Sequence, residues 1–191
     1  MSVSMPIVAA RVSYFEAGLE VLADLGFGGL KLAEVCSRLG VTSGSFYHYF
    51  PGWSAYTREL LNYWMHDRTL RLGEVFRRES DPRRRMQLIV REVLSLPHSA
   101  EAAIRAWASV DPGVLAVQAE VDRERFSVCY EYAFEIVHDQ RQAEVFAQWA
   151  VYQLVGFEQA TLERDGRDYE WMINRMLDDL EAGRFASVPR R

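Results

Sequence analysis

The stretch GFGGLKLAEVCSRLGVTSGSFYHYF, residues 26–50, leaves a chain few ways to fold. Leu32, Val35, Cys36 and Leu39 recur at steps of three, one and three, so one face of a two-turn helix is apolar. Gly40 stands where that helix must stop, and glycine takes the left-handed backbone of a C-terminal cap with no Cβ penalty. Thr42 suits the N-cap of a second helix over about residues 43–49, its hydroxyl accepting from amides left free in the first turn. Val41, Phe46 and Phe50 can face inward, which leaves Ser43, Gly44, Ser45, Tyr47, His48 and Tyr49 on the solvent side. A small, hydroxyl-rich face without carboxylates and edged by phenols suits close approach to phosphates and to base edges in the major groove. Helix, glycine turn and exposed second helix make a helix-turn-helix.

Around this motif the chain reads as all-α. Proline and glycine number only 6 and 12, and the long uninterrupted stretches between them favour helices over many short strands. Pro6 suits the first turn of an opening helix that follows a short N-terminal arm. Val8, Val12, Phe15, Leu19 and Leu22 give that helix its apolar stripe as far as Gly26. A helix over about 53–79 follows the motif as a long rod. Asp81-Pro82, Ser99, Asp111-Pro112, Asp139 and Asp168 then read as the starts of five more helices, and 184–191 as a frayed tail. The expectation is nine helices: a helix-turn-helix head at 1–52 and a helical body at 53–191.

The net charge of −5 does not suit a nucleic-acid partner if taken globally. Between Val35 and Arg58, however, there is no acidic residue, and the local field can differ in sign from the total. The Arg83-Arg84-Arg85 run reads as a solvated helix face. Cys36 and Cys129 read as reduced core residues. Glu135-Ile-Val-His138 has the E-x-x-H spacing, but a di-iron bundle needs two such motifs and two further glutamates. With no phosphate loop, nucleophile elbow or H-E-x-x-H, neither catalysis, metal nor cofactor is expected. No apolar run approaches the ~18 residues of a membrane span, so a cytoplasmic protein with no membrane partner is expected.

The body is crowded with large adaptable side chains: Trp64, Met86, Trp107, Phe126, Tyr130, Phe134, Trp149 and Tyr152. Together they exceed what a dense core of this size needs, and buried tyrosine hydroxyls require partners. An aromatic-lined cavity with a few polar groups is the usual form of a small-molecule site. Two later helices carry a further pattern. Phe146, Trp149, Gln153, Phe157 and Ala160 recur at steps of three and four, with Gly156 allowing close backbone approach; Trp171, Met172 and Met176 repeat the pattern on the last helix.

The run G-F-x-x-L-x-L-x-x-V-C-x-x-L-G-V-T-x-G-S-F-Y-x-x-F resembles the DNA-binding signature of the TetR family of transcriptional regulators. The resemblance covers roughly residues 6–60 and departs from the family at Lys31, Tyr49 and Pro51-Gly52-Trp53. It implies a homodimer that binds a palindromic double-stranded DNA operator, most often as a repressor. The DNA contacts would come from Thr42, Ser43, Gly44, Ser45, Tyr47, His48 and Tyr49, with Lys31 near the backbone. It also implies a small hydrophobic or aromatic effector in the body. The subunits would meet in a four-helix interface containing Phe146, Gln153, Gly156, Phe157, Ala160, Trp171, Met172 and Met176. The alternative is a helical small-molecule-binding protein of the same ancestry that has lost DNA binding, which the missing lysine at 51–53 motivates.

Overall fold

The computed structural model describes residues 7–190, so the N-terminal arm and Pro6 lie outside the described residues. In chain order the helices are α1 (Ile7–Gly29), α2 (Leu32–Leu39), α3 (Ser43–Tyr47), α4 (Trp53–Met65), α5 (Arg71–Arg77), α6 (Pro82–Ser95), α7 (His98–Ala108), α8 (Pro112–Val137), α9 (Gln140–Gln159) and α10 (Gly166–Glu181). Among the described residues there is no strand, and the fold is all-α as expected. The tenth helix arises because the rod expected at 53–79 is interrupted by a π turn, His66–Leu70. Trp64 before the turn is buried, and so are Thr69 within it and Gly73 and Phe76 after it. A single i→i+5 turn adds one residue to the local repeat.

The chain forms two compact units, Met1–Asp67 with Pro97–Gln118, and Arg68–Leu96 with Ala119–Arg191. They do not divide between residues 52 and 53, because α4 and α7 bury their apolar faces within the first unit. On α4 those residues are Tyr56, Leu60, Leu61 and Trp64; on α7, which packs along α1, they are Ala100, Ala103 and Ile104. Trp107 lies flat against Phe27, with ring centroids 6.0 Å apart and planes 9° from parallel.

The second unit has its core on Phe76, Met86, Ile89, Tyr132, Phe146 and Leu180. Asp81 and Asp139 cap α6 and α9 through Oδ1, accepting from Arg83 N at 3.0 Å and Gln142 N at 2.9 Å. The last helix starts three residues before the expected Asp168 cap: Asp165 accepts from Arg167 N at 2.7 Å, and α9 has ended at Gln159. In the same way α7 begins at His98, directly after Pro97, not at Ser99. The tail is not frayed throughout. Arg184–Ser187 is a 3₁₀ turn that buries Phe185 against Phe146 and Trp149, at 5.6 and 5.7 Å between centroids. Arg85 also departs from expectation. It is buried, and its guanidinium makes a two-pronged pair with Glu135 at 2.8 and 3.2 Å. That pairing accounts for the glutamate of the E-x-x-H motif.

Arg77 forks onto both carboxylate oxygens of Glu131 at 2.9 Å and reaches Glu124 at 2.8 Å. Its hydrogen bonds hold the Glu131 carboxyl below the ordinary carboxylate value of 4.5. A carboxyl depressed in the folded state stabilises fully above its ordinary value and loses that contribution as pH falls through the depressed one. Arg77→Met should therefore be less stable than wild type at pH 7, with the gap closing as pH drops below about 4.5. Urea midpoints measured over a pH series read this directly; a gap that widens in acid would refute it.

Candidate nucleic-acid interface and cavity

The head is built on backbone devices. At Gly26, with φ 66° and ψ −178°, the first helix breaks. Gly40 takes the left-handed conformation, φ 65° and ψ 32°. Its N–H donates to Ser37 O at 3.1 Å and the Val41 N–H donates to Cys36 O at 3.0 Å, the paired bonds of a Schellman cap. Val41 does not face inward as expected: its amide turns back to close this cap, and its side chain is left exposed. Thr42 Oγ1 then accepts from Ser45 N at 3.3 Å and starts α3. That helix ends two residues earlier than expected, because His48 N and Tyr49 N donate three residues back, to Ser45 O and Phe46 O at 3.2 and 3.0 Å.

Aromatic packing fixes the angle of α3. Phe46 and Phe50 are fully buried, with Tyr14 edge-on to both at 5.7 and 5.5 Å and Tyr56 edge-on to both at 5.4 and 5.1 Å. The Tyr56 hydroxyl donates to Tyr14 O at 2.8 Å, and burial raises its pKa. Tyr14 in turn donates to Ser45 Oγ at 3.3 Å. Lys31, Thr42, Ser43, Gly44, Tyr47 and His48 are exposed, Tyr47 by 56 %. Ser45 and Tyr49 are only half-buried. Tyr49 leans on Tyr14 at 5.5 Å, and its carbonyl accepts from Arg11 at 2.7 Å. A Cβ added at Gly44 would meet only Thr42 Oγ1, at an ordinary 3.6 Å. Among the described residues, no neighbour demands glycine there.

Charge is the less expected feature of the head. Arg38 is drawn into carboxylates, with Asp24 at 2.7 Å, Glu34 at 3.6 Å and Glu20 at 3.9 Å. Arg11 pairs with Glu59 and lies over the Phe50 ring at 4.7 Å. Lys31 and Arg58 are exposed and carry no ion pair among the described residues.

A cavity of about 110 Å³ lies within the second unit. Phe76, Met86, Val93, Val128, Leu154 and Ile173 supply apolar wall. Thr69, Glu92, Glu124, Arg125 and Gln153 supply the polar groups. Cys129 also lines it, and desolvation pushes its thiol up to about 12, so it stays protonated at neutral pH.

Of the eight residues expected to line a pocket, only Met86 stands on this wall. Trp64 is fully buried in the first unit and donates from Nε1 to Glu101 Oε1 at 2.7 Å, while Trp107 covers Phe27 there. Phe126, Tyr130 and Phe134 stack along α8 with centroids 6.1 and 5.9 Å apart. Trp149 and Tyr152 are exposed by 47 % and 68 %.

The residues expected between subunits also separate. Phe146 and Met176 are buried, Gln153 faces the cavity, and Phe157 stacks on Tyr169 at 4.1 Å. Gly156, Ala160, Trp171 and Met172 are exposed. With Trp149 and Tyr152 they leave apolar surface on α9 and α10, the kind of surface that marks a protein contact. Thr69 could not be picked out in advance, since a single threonine in a polar-looking half-helix carries no periodic signal.

A family model described as bacterial regulatory proteins, tetR family, matches residues 15–53. No curated protein matches the sequence. Solved structures match over nearly the whole chain. A transcriptional regulator from Rhodococcus sp. Rha1 is 17 % identical with TM-score 0.74, over 91 % of this chain and 97 % of that one. A TetR transcription regulator from Haloarcula marismortui is 14 % identical with TM-score 0.72, over 92 % and 98 %. The regulator FadR from Bacillus subtilis, in complex with stearoyl-CoA, is 16 % identical with TM-score 0.66, over 90 % and 98 %. At these identities the likeness is one of fold.

Proposed function

We propose that this chain, whose head matches the tetR-family model and whose fold is that of the solved regulators, is a TetR-family transcriptional regulator that binds a palindromic DNA operator as a homodimer and is released by a small apolar effector. The observation that carries the reading is the short α3. Thr42, Ser43, Gly44, Tyr47 and His48 are bare to solvent, and Phe46 and Phe50 are locked behind them. Ser45 and Tyr49 contribute from its edge and Lys31 reaches phosphate. Two such helices, presented by a two-fold pair, read half-sites about 34 Å apart. The exposed Trp149, Tyr152 and Gly156 of α9, with Trp171 and Met172 of α10, supply the contact between subunits.

The cavity supports an effector site, and a relative of the same fold is solved with stearoyl-CoA. An occupant alters the spacing of the two heads and lowers operator affinity, so the protein acts as a repressor. By linkage, operator must weaken effector binding by the same factor. The role is binding, not catalysis. No helix among the described residues is long and apolar enough to cross a membrane, and a cytoplasmic site of action follows from a DNA partner.

A second reading is favoured by the ion pairs that occupy Arg38: a head that keeps its fold and no longer grips DNA. Gel shifts on the protein's own upstream DNA separate the two. If Lys31 and Arg58 are the phosphate-binding cations, a dimer neutralises four phosphates, and log affinity should fall with log salt at a slope of about −4. Tyr47→Ala should remove specific binding while the circular dichroism and melting temperature stay unchanged. No shift at any salt concentration establishes the second reading, and undiminished binding by the variant refutes the role of Tyr47.

A further inference from the structure

We infer, on the reading that the cavity is the effector site, that it takes an unfunctionalised hydrocarbon of about one ring. Molecules of the same size that carry a hydroxyl, carboxylate or ammonium group are rejected. Phe76, Met86, Val93, Val128, Leu154 and Ile173 form the wall, and the surface open to the space is almost wholly apolar. Polar residues stand on the wall too, but their polar atoms are turned away or occupied. Thr69 Oγ1, Gln153 Oε1 and Arg125 Nη1 are buried, with essentially no surface open to the space. The Glu124 carboxylate is held by Arg77 at 2.8 Å. The Cys129 thiol stays protonated and behaves as a small apolar group.

The backbone offers no partner either. Apart from Leu96, every wall residue belongs to a helical turn, where N–H and C=O groups bond along the helix. A ligand hydroxyl, carboxylate or ammonium would leave water and find nothing to replace it, and an unpaired polar group in such surroundings is costly. A hydrocarbon gives up no hydrogen bond on entry and gains by leaving water. Size narrows the class further. The space is about 110 Å³, of the same order as the ~150 Å³ apolar cavity that takes up benzene. A long alkyl chain is too large to be enclosed there. Ordered water would lack the polar partners it needs.

Calorimetry on the full-length protein with toluene, phenol and benzoate tests the assignment, since the three differ only in the group on one ring. Toluene should bind with a negative heat-capacity change, the mark of buried apolar surface. It should also weaken the gel shift on the upstream DNA. Phenol should bind at least about tenfold more weakly than toluene, and benzoate not measurably. Ala150→Leu and Val93→Phe fill the cavity from α9 and α6. Each should abolish toluene binding while the circular dichroism spectrum stays that of wild type. The ratio of toluene to phenol is read on the wild-type protein, so it decides the matter even where a filled variant fails to fold. Phenol or benzoate binding as tightly as toluene overturns the hydrocarbon assignment and leaves the cavity as an effector site. Toluene affinity that survives both substitutions puts the molecule elsewhere and overturns it likewise. If toluene binds as expected and leaves the gel shift unchanged, the effector reading fails and the hydrocarbon preference stands. If none of the three binds, both fall.

Discussion

Gly18→Ala should destabilise the protein by about 3 kcal/mol, against the usual helix-stabilising effect of that change. A Cβ at Gly18 would fall 2.2 Å from the Tyr56 hydroxyl oxygen and 3.0 Å from Leu60 Cδ2. Neither neighbour can retreat easily, because both are fully buried and Tyr56 is wedged among Phe15, Phe46, Phe50 and Trp53. The added methyl therefore brings overpacking of about 1–3 kcal/mol. It also displaces the hydroxyl from Tyr14 O, and a buried hydroxyl that loses its acceptor costs about 1–3 kcal/mol more. Better helix propensity returns at most about 1 kcal/mol. Urea denaturation of Gly18→Ala, Tyr56→Phe and the double variant isolates the clash. Tyr56→Phe removes the offending oxygen, so the double variant should be more stable than the sum of the two single losses by at least about 1 kcal/mol. A Gly18→Ala protein as stable as wild type would show that the tyrosine moves freely. The effect should also reach DNA, since Tyr14 is the residue that bonds Ser45 beside the exposed face of α3.

Trp64→Phe should cost about 2–4 kcal/mol and leave effector affinity untouched. The indole is fully buried, and its Nε1 donates at 2.7 Å to Glu101, itself 2 % exposed. Phenylalanine removes that donor and a part of the packed volume at once. Glu101 is buried, so water cannot replace the indole N–H, and losing such a bond is among the costlier single losses. The second half of the prediction separates two readings of the same residue. As a pocket wall, Trp64 would alter ligand binding when shortened; as a core residue of the first unit it should alter only the denaturation midpoint. Thermal melts with and without toluene, an apolar probe for the cavity, report both: the ligand-induced shift should match wild type while the baseline melting temperature falls.

That contrast also shows where the chain is readable from its residues alone. The head is legible because its devices are local. Gly40 must cap, Thr42 must accept from an amide three residues on, and Phe46 and Phe50 share one side of a short helix. Each of these is decided by neighbours within a turn or two. The cavity is not legible in this way. Trp107 and Trp64 are as large and apolar as any pocket residue, and only tertiary packing sends them to the first unit. The cavity is walled by ordinary valines, leucines and isoleucines whose spacing is that of any amphipathic helix. The proposed contact surface is intermediate. The stripe on α9 is visible in the sequence, but choosing its exposed edge, Trp149, Gly156 and Ala160, over its buried edge, Phe146 and Gln153, needs the rotation of the helix about its axis.

The π turn at His66–Leu70 bears on how this chain should be compared with others. One additional residue within a helix advances everything after it by about 100° around the axis. A relative whose rod runs straight must therefore be aligned with a one-position gap between Trp64 and Thr69. Without that gap, Thr69 and Gly73 are matched to columns from the wrong side of the partner helix. Placing the gap returns them, and the wall residues that follow, to register.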